Sequence, residues 1–176
     1  MKLARTSAEA HLYIAQQPCG CGGRGFAGAG LDSAVIEAGD DLASRYTGRC
    51  AACGVTRRFE FRLPDRPLVP PRPGLQFGGA EPSQLLDPGE WMAIADDHSR
   101  RVPAHGGAGQ GQHDLAVAAA AIDEILKFIP PGGDACPAAA FTSARGRAGY
   151  DAEPGRFRRA RLEAVRGAYA ALVVRS

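Results

Sequence analysis

Two short stretches of this chain hold the residues best suited to chemistry. CGCGGRGF begins at Cys19 and RCAACGV at Arg49, so 28 residues separate the pair Cys19 and Cys21 from the pair Cys50 and Cys53, each pair beside glycine. Four thiolates at about 2.3 Å satisfy a tetrahedral zinc ion. Gly20, Gly22 and Gly54 let backbone amides bend toward the sulfurs. Four protein ligands leave no coordination position for water, so one zinc held this way is a staple for the fold and does not activate a substrate. An iron or iron–sulfur centre, a redox pair or metal-free thiols remain open on spacing alone. A thioredoxin-like role for Cys50 and Cys53 needs a βαβ context, which this stretch lacks.

Ligand pairs so close together must sit in tight turns at the ends of extended elements. His11 to Gln17 reads as a strand leading to Cys19. Leu31 to Glu37 and Leu42 to Thr47 read as a hairpin with its turn at Ala38-Gly39-Asp40-Asp41, returning the chain to Cys50. After Cys53, Val55, Arg57, Phe59, Phe61 and Leu63 alternate with Thr56, Arg58, Glu60 and Arg62, the pattern of a half-buried strand. Over residues 11–64 the arrangement resembles a zinc ribbon, in which two cysteine-bearing knuckles clamp one structural zinc. The second knuckle, CAACG, has the usual form, and CGCG is one residue shorter. The resemblance implies that Cys19, Cys21, Cys50 and Cys53 are the ligands and that residues 1–64 form the module.

Five prolines between Pro64 and Pro73 mark a connector, placed at residues 65–82. The region 83–176 reads as three or four helices. DPGE at Asp87 to Glu90 is a capping box, and the helix it starts runs to about Arg101 with Trp91, Ile94, Ala95, His98 and Val102 inward. Asp96 with Arg100 and Asp97 with Arg101 have the spacing of exposed ion pairs. Asp114 is the expected N-cap of a second helix that buries Leu115, Ala118, Ile122, Ile125, Leu126 and Ile129. A short helix is expected near Ala138 to Ala144, and a last one from Pro154 to about Val174.

Other residues fit bland roles. Cys136 reads as a small buried residue. His98, His105 and His113, near Asp96, Asp97 and Asp114, raise the alternative of a second, catalytic metal, although no two share the i, i+4 spacing of a helical pair. GGAGQGQH, at 106–113, reads as a flexible connector; it follows no strand, as a phosphate loop would, and lacks the Gly-Gly-Gln order of release-factor loops. In GRFRRARLEAV, a continuous helical wheel places Arg156, Arg159 and Arg166 on a polar face and Arg158 and Arg161 among apolar residues, where they need a solvent route or an anionic partner.

Leu, Ile, Val and Phe supply 13, 6, 8 and 7 residues, about a fifth of the chain and close to the border where disorder competes with packing. That scarcity favours a metal staple and a core shared by the two parts. The net charge of +2 announces neither nucleic acid nor membrane as a partner. No secretory leader or membrane-length apolar run is visible, so a reducing cytoplasmic setting is the default, and there paired cysteines serve metals more often than disulfides. FGGAEPSQLLDPGEWM, FIPPGGDA and GRFRRARLEAV are similar to segments of an uncharacterised bacterial protein group with a cysteine-rich N-terminal part and a helical C-terminal part. The sequence therefore predicts an α+β protein, an antiparallel zinc ribbon with a helical bundle. It is read as non-catalytic and protein-binding, with Arg158, Arg161, Arg57 and Arg58 as candidate partner contacts. Nucleic-acid binding through Arg57, Arg58 and Arg62 of the ribbon strand, together with the C-terminal arginines, is the alternative from another class.

Overall fold

The computed structural model describes residues 1–28, 30–66, 75–102 and 109–175. The fold is α+β and divides into two compact units, Met1–Leu68 and Val69–Ser176. The first contains a helix, α1 (Ser7–Gln16), followed by β1 (Asp32–Ala38), β2 (Asp41–Arg49) and β3 (Thr56–Arg62). The strands form an antiparallel sheet in the order β1-β2-β3. The hairpin lies where the sequence places it: Ala38 pairs with Asp41 across a turn whose Gly39 has φ 69°.

Helix α1 replaces the strand expected at His11 to Gln17. Thr6 caps it by accepting the Glu9 N–H at 3.1 Å. Glu9 in turn accepts the Arg5 backbone N–H at 2.7 Å and the Arg5 guanidinium at 2.6 Å, in an ion pair buried at both ends. These local bonds fix a helical turn before the alternation of HLYIAQQ can act as a strand. The helix then meets the sheet through His11 on Tyr46 and Tyr13 on Phe61, with ring centroids 5.1 and 5.6 Å apart. On β3 the expected alternation holds at Arg57 and Phe61, which are buried, and at Arg58, which is exposed, whereas Val55, expected inward, precedes the strand and is exposed and Phe59 and Glu60 are both half-buried.

The second unit contains four α-helices among the described residues: α2 (Pro88–Arg101), α3 (Gln110–Leu126), α4 (Ala144–Ala152) and α5 (Arg159–Arg175). Two 3₁₀ turns, Ala138–Ala140 and Pro154–Phe157, precede α4 and α5. The short helix expected near Ala138 thus begins six residues later, with Ser143 as its cap. Helix α2 packs on α3 and α4, and α3 packs on α5. Their shared core includes Trp91, Ile94, Ala95, Ala118, Ile122, Ile125 and Leu162. Beside it, Phe141, Tyr150 and Phe157 form an aromatic cluster with centroids 4.4 to 6.0 Å apart.

The capping box at Asp87 also joins two helices. One carboxylate oxygen accepts the Glu90 N–H at 2.9 Å; the other accepts Ser143 N–H and Oγ–H at 2.7 and 2.8 Å. Ser143 in turn caps α4 by accepting the Gly146 N–H at 2.9 Å. So close a joint leaves no space for a side chain at either glycine it contains. A Cβ on Gly146 would collide with the Asp87 carboxylate, and one on Gly89 with the Gly146 backbone.

In an ordinary exposed helix, Gly→Ala stabilises by up to about 1 kcal/mol. At Gly146 and Gly89 the collision reverses the sign: each Gly→Ala change is expected to destabilise by about 1–3 kcal/mol. Gly149→Ala on the same α4, where an added Cβ meets nothing within 4 Å, should be neutral or stabilising. Denaturant unfolding of the three variants checks the contrast, and equal effects would mean that the joint does not constrain the fold.

Candidate metal centre

The four cysteines are drawn together by backbone bonds in two adjacent turns. In the first, Gly22 N–H donates to Cys19 O and Cys19 N–H to Gly23 O, both at 2.8 Å, with Gly22 at φ 81°. This closure lets a pair one residue shorter than CxxC present both sulfurs. In the second, Cys50 N–H donates to Val55 O and Gly54 N–H to Cys50 O, both at 2.9 Å. An antiparallel bridge between Phe26 and Cys50, with Ala27 N–H on Arg49 O at 2.8 Å, ties the turns together.

The resulting sulfur geometry suits a tetrahedral ion. Cys19 Sγ lies 3.8 Å from Cys53 Sγ, and Cys21 Sγ lies 3.8 Å from Cys50 Sγ. All four lie within 4.8 Å of one another. A metal–sulfur length of about 2.3 Å requires a tetrahedron edge of about 3.8 Å, so two opposite edges already have that length. All four thiols are free. Cys50 is buried, Cys19 half-buried, and Cys21 and Cys53 are exposed.

Protonation supports the same fit. Backbone N–H groups of Cys53 and Ala52 lower the Cys50 thiol to about 6. Cys53 also receives a lowering backbone N–H bond, from Val55, but the neighbouring Cys21 thiol, burial, Cys50 and Cys19 together push it up to about 12. Adjacent sulfurs cannot all ionise without a cation among them. A divalent ion resolves that conflict by replacing the protons.

The four candidate arginines divide into one interior and three surface groups. Arg57 is buried, its guanidinium 4.8 Å from the Phe26 ring centroid and 5.0 Å from that of Phe59. Its Nη2 donates to Gln17 O at 2.8 Å, and Nη1 has no hydrogen-bond partner among the described residues. Arg58, Arg158 and Arg161 are exposed. The arginines with internal acceptors are others: Arg156 binds Asp96 through both terminal nitrogens at 2.6 and 3.0 Å, Arg159 donates to Gly133 O at 3.1 Å, and Arg166 pairs with Asp123 at 2.5 Å. The Asp96–Arg100 pair is therefore replaced by Asp96–Arg156, and Asp97 takes both Arg100 and Arg101.

Of the three candidate histidines, His98 donates from Nδ1 to Asp114 Oδ1 at 2.6 Å, His113 is exposed, and His105 lies outside the described residues. Among the described residues, the four cysteines are the only cluster of three or more Cys, His, Asp or Glu able to share an ion. Asp114 is not the N-cap of α3. The helix starts four residues earlier at Gln110, after Gly109 at φ 86°, and buries Asp114 against His98 of α2. Gln110 and Gln112 are therefore helical rather than loop residues. Cys136 is buried; burial, only partly offset by the Arg159 charge, pushes its thiol up to about 12. No described helix is long and apolar enough to cross a membrane.

Burial alone would raise the Asp114 carboxyl. Hydrogen bonds from His98 and Gln110, with the charges of His98 and Arg101, outweigh it and hold the group below the usual carboxylate range. Its stabilising contribution is thus complete above the ordinary carboxylate value near 4 and is lost as pH falls through the lower folded value. His98→Ala should cost about 1–3 kcal/mol near neutral pH by leaving a buried acceptor poorly satisfied, and should move acid unfolding to higher pH. Thermal melts between pH 2 and pH 7 read both effects, and an unshifted acid limb would exclude His98 as the group holding Asp114 ionised. Comparison of the chain with protein-family models, with curated proteins and with solved structures finds no match to it.

Proposed function

We propose that this is a zinc-stabilised, non-catalytic binding or regulatory protein of the cytoplasm, with a zinc-ribbon N-terminal part and another protein as its partner. The observation that carries the zinc reading is the pair of 3.8 Å sulfur edges in a cluster of four thiols. Zinc is the ion that best matches four soft ligands at tetrahedral spacing in a reducing compartment, and with four protein ligands it serves as a staple. A surface role then follows, supported by exposed Arg58, Arg158 and Arg161, which suit acidic groups on a partner.

The sheet face bearing Arg45, Arg58 and Arg62 favours nucleic acid as a second reading. Glu60 holds Arg45 at 2.8 Å and Asp65 lies 3.5 Å from Arg62, so much of that charge is compensated within the chain. Phosphate binding through such a face would fall steeply with salt.

Metal analysis of the full chain, purified without added metal, is expected to give one zinc per chain, with loss of zinc and of sheet structure in a Cys50→Ser, Cys53→Ser double variant. Two ions, or one ion that survives the substitution, would overturn the staple reading. Affinity purification under the same conditions should retain a stoichiometric protein companion that an Arg158→Glu, Arg161→Glu variant loses. Retention of single-stranded oligonucleotides with a steep salt dependence would instead select the nucleic-acid reading.

A further inference from the structure

Arg161 does more than face solvent: it forms one wall of a small pocket between α2 and α5. The pocket has a volume of about 160 Å³ and is lined by Met92, Arg156, Arg161, Leu162, Val165 and Tyr169. Its floor is apolar, since Met92 and Leu162 belong to the core and Val165 is half-buried. Its volume is close to the roughly 150 Å³ of apolar cavities that accept benzene. A ligand of that size has room for a compact ring or branched chain and one polar head.

The polar groups define that head. Arg156 is already matched, with both terminal nitrogens on Asp96, and closes the pocket as a neutralised wall. Arg161 has no ion-pair or hydrogen-bond partner among the described residues, and the half-buried Tyr169 hydroxyl has no hydrogen-bond partner among them. An unmatched guanidinium and an unmatched hydroxyl lining one pocket, above an apolar floor, select an anion carried on an apolar body. The planar guanidinium favours a carboxylate, which can accept two parallel N–H bonds.

We propose that this pocket binds a small monocarboxylate with a compact apolar body, its carboxylate on Arg161 and Tyr169 and its body against Met92, Leu162 and Val165. The carboxylate can belong to a free acid or to the C-terminus of a peptide. The proposal uses the same surface as the partner contact above, but it fails separately. If benzoate does not bind while the protein companion is still lost from the Arg158→Glu, Arg161→Glu variant, the pocket is wrong and the surface stands.

The experiment is a titration of the full, metal-loaded chain with benzoate, isovalerate and benzyl alcohol, followed by ligand-detected NMR and calorimetry. Benzoate is expected to saturate one site and benzyl alcohol to bind at least about tenfold more weakly. Arg161→Gln should weaken benzoate about tenfold with no change in melting temperature, because its side chain has no partner to lose. Tyr169→Phe should weaken it a few-fold, and Arg158→Gln, outside the pocket, should leave it unchanged. A short peptide ending in phenylalanine, compared with its C-terminal amide, distinguishes the two sources: tighter binding of the free-carboxylate peptide identifies a chain terminus, and binding of benzoate alone identifies a small molecule. Absence of saturation, equal binding of benzyl alcohol, or equal losses in Arg158→Gln and Arg161→Gln overturns the proposal.

Discussion

Four sulfurs about as far apart as the edges of a metal tetrahedron impose the condition on which the N-terminal unit depends. Ionised together they repel, and with protons still bound they contribute little cohesion. The rest of that unit offers limited compensation. Of its described large apolar side chains, only Ile14, Tyr46 and Phe61 are buried, and its interior also contains the charged Arg5, Glu9 and Arg57. A core this thin does not readily offset the ordering entropy of three strands and a helix. The backbone bonds that shape both turns hold the four sulfurs close to one another.

The helical unit solves the same shortage of large side chains in another way. Alanine and glycine allow close approach, and polar joints fix where it happens. Asp87 is the clearest case, because one carboxylate caps α2 and holds the start of α4, at a point where only glycine fits at 89 and 146. His98 with Asp114 joins α2 to α3, and Asp96 with Arg156 ties α2 to the segment just before α5. Each joint crosses between elements, so the helices are set in register by directional bonds as well as by the apolar contacts of Trp91, Ile94 and Ile122.

What could be read from the sequence was what depends on local chemistry. The spacing of the cysteines, the glycine turn of the hairpin and the letters of the Asp87 capping box each encode a contact between near neighbours or an unambiguous ligand set. The sequence misleads where a distant residue decides the outcome. Asp114 has the letter of an N-cap, yet His98, sixteen residues earlier, draws it into the interior, and the helix extends back through Gln110. α1 differs, since its signal is local. Thr6-Ser7-Ala8-Glu9 has the Thr-x-x-Glu form of a helix start, and that pattern outweighs the alternation in HLYIAQQ.

The arginines of the last segment show how a small break in regular structure redirects charge. A continuous helical wheel through Phe157 sends Arg158 and Arg161 toward the core and Arg156, Arg159 and Arg166 to solvent. The chain instead forms a 3₁₀ turn through Phe157, passes Arg158 at φ −79° and ψ 138°, and starts α5 at Arg159. That single extended residue resets the phase. Arg156, Arg159 and Arg166 find acceptors on Asp96, Gly133 and Asp123, and Arg158 and Arg161 are left facing outward. Arg156 and Arg159 are half-buried, Arg166 stays exposed in its pair with Asp123 as the helical wheel expects, and Arg158 and Arg161, expected among apolar residues, are exposed. Charges paired inside the unit act on its stability, and Arg158 and Arg161 are exposed without such a pairing among the described residues.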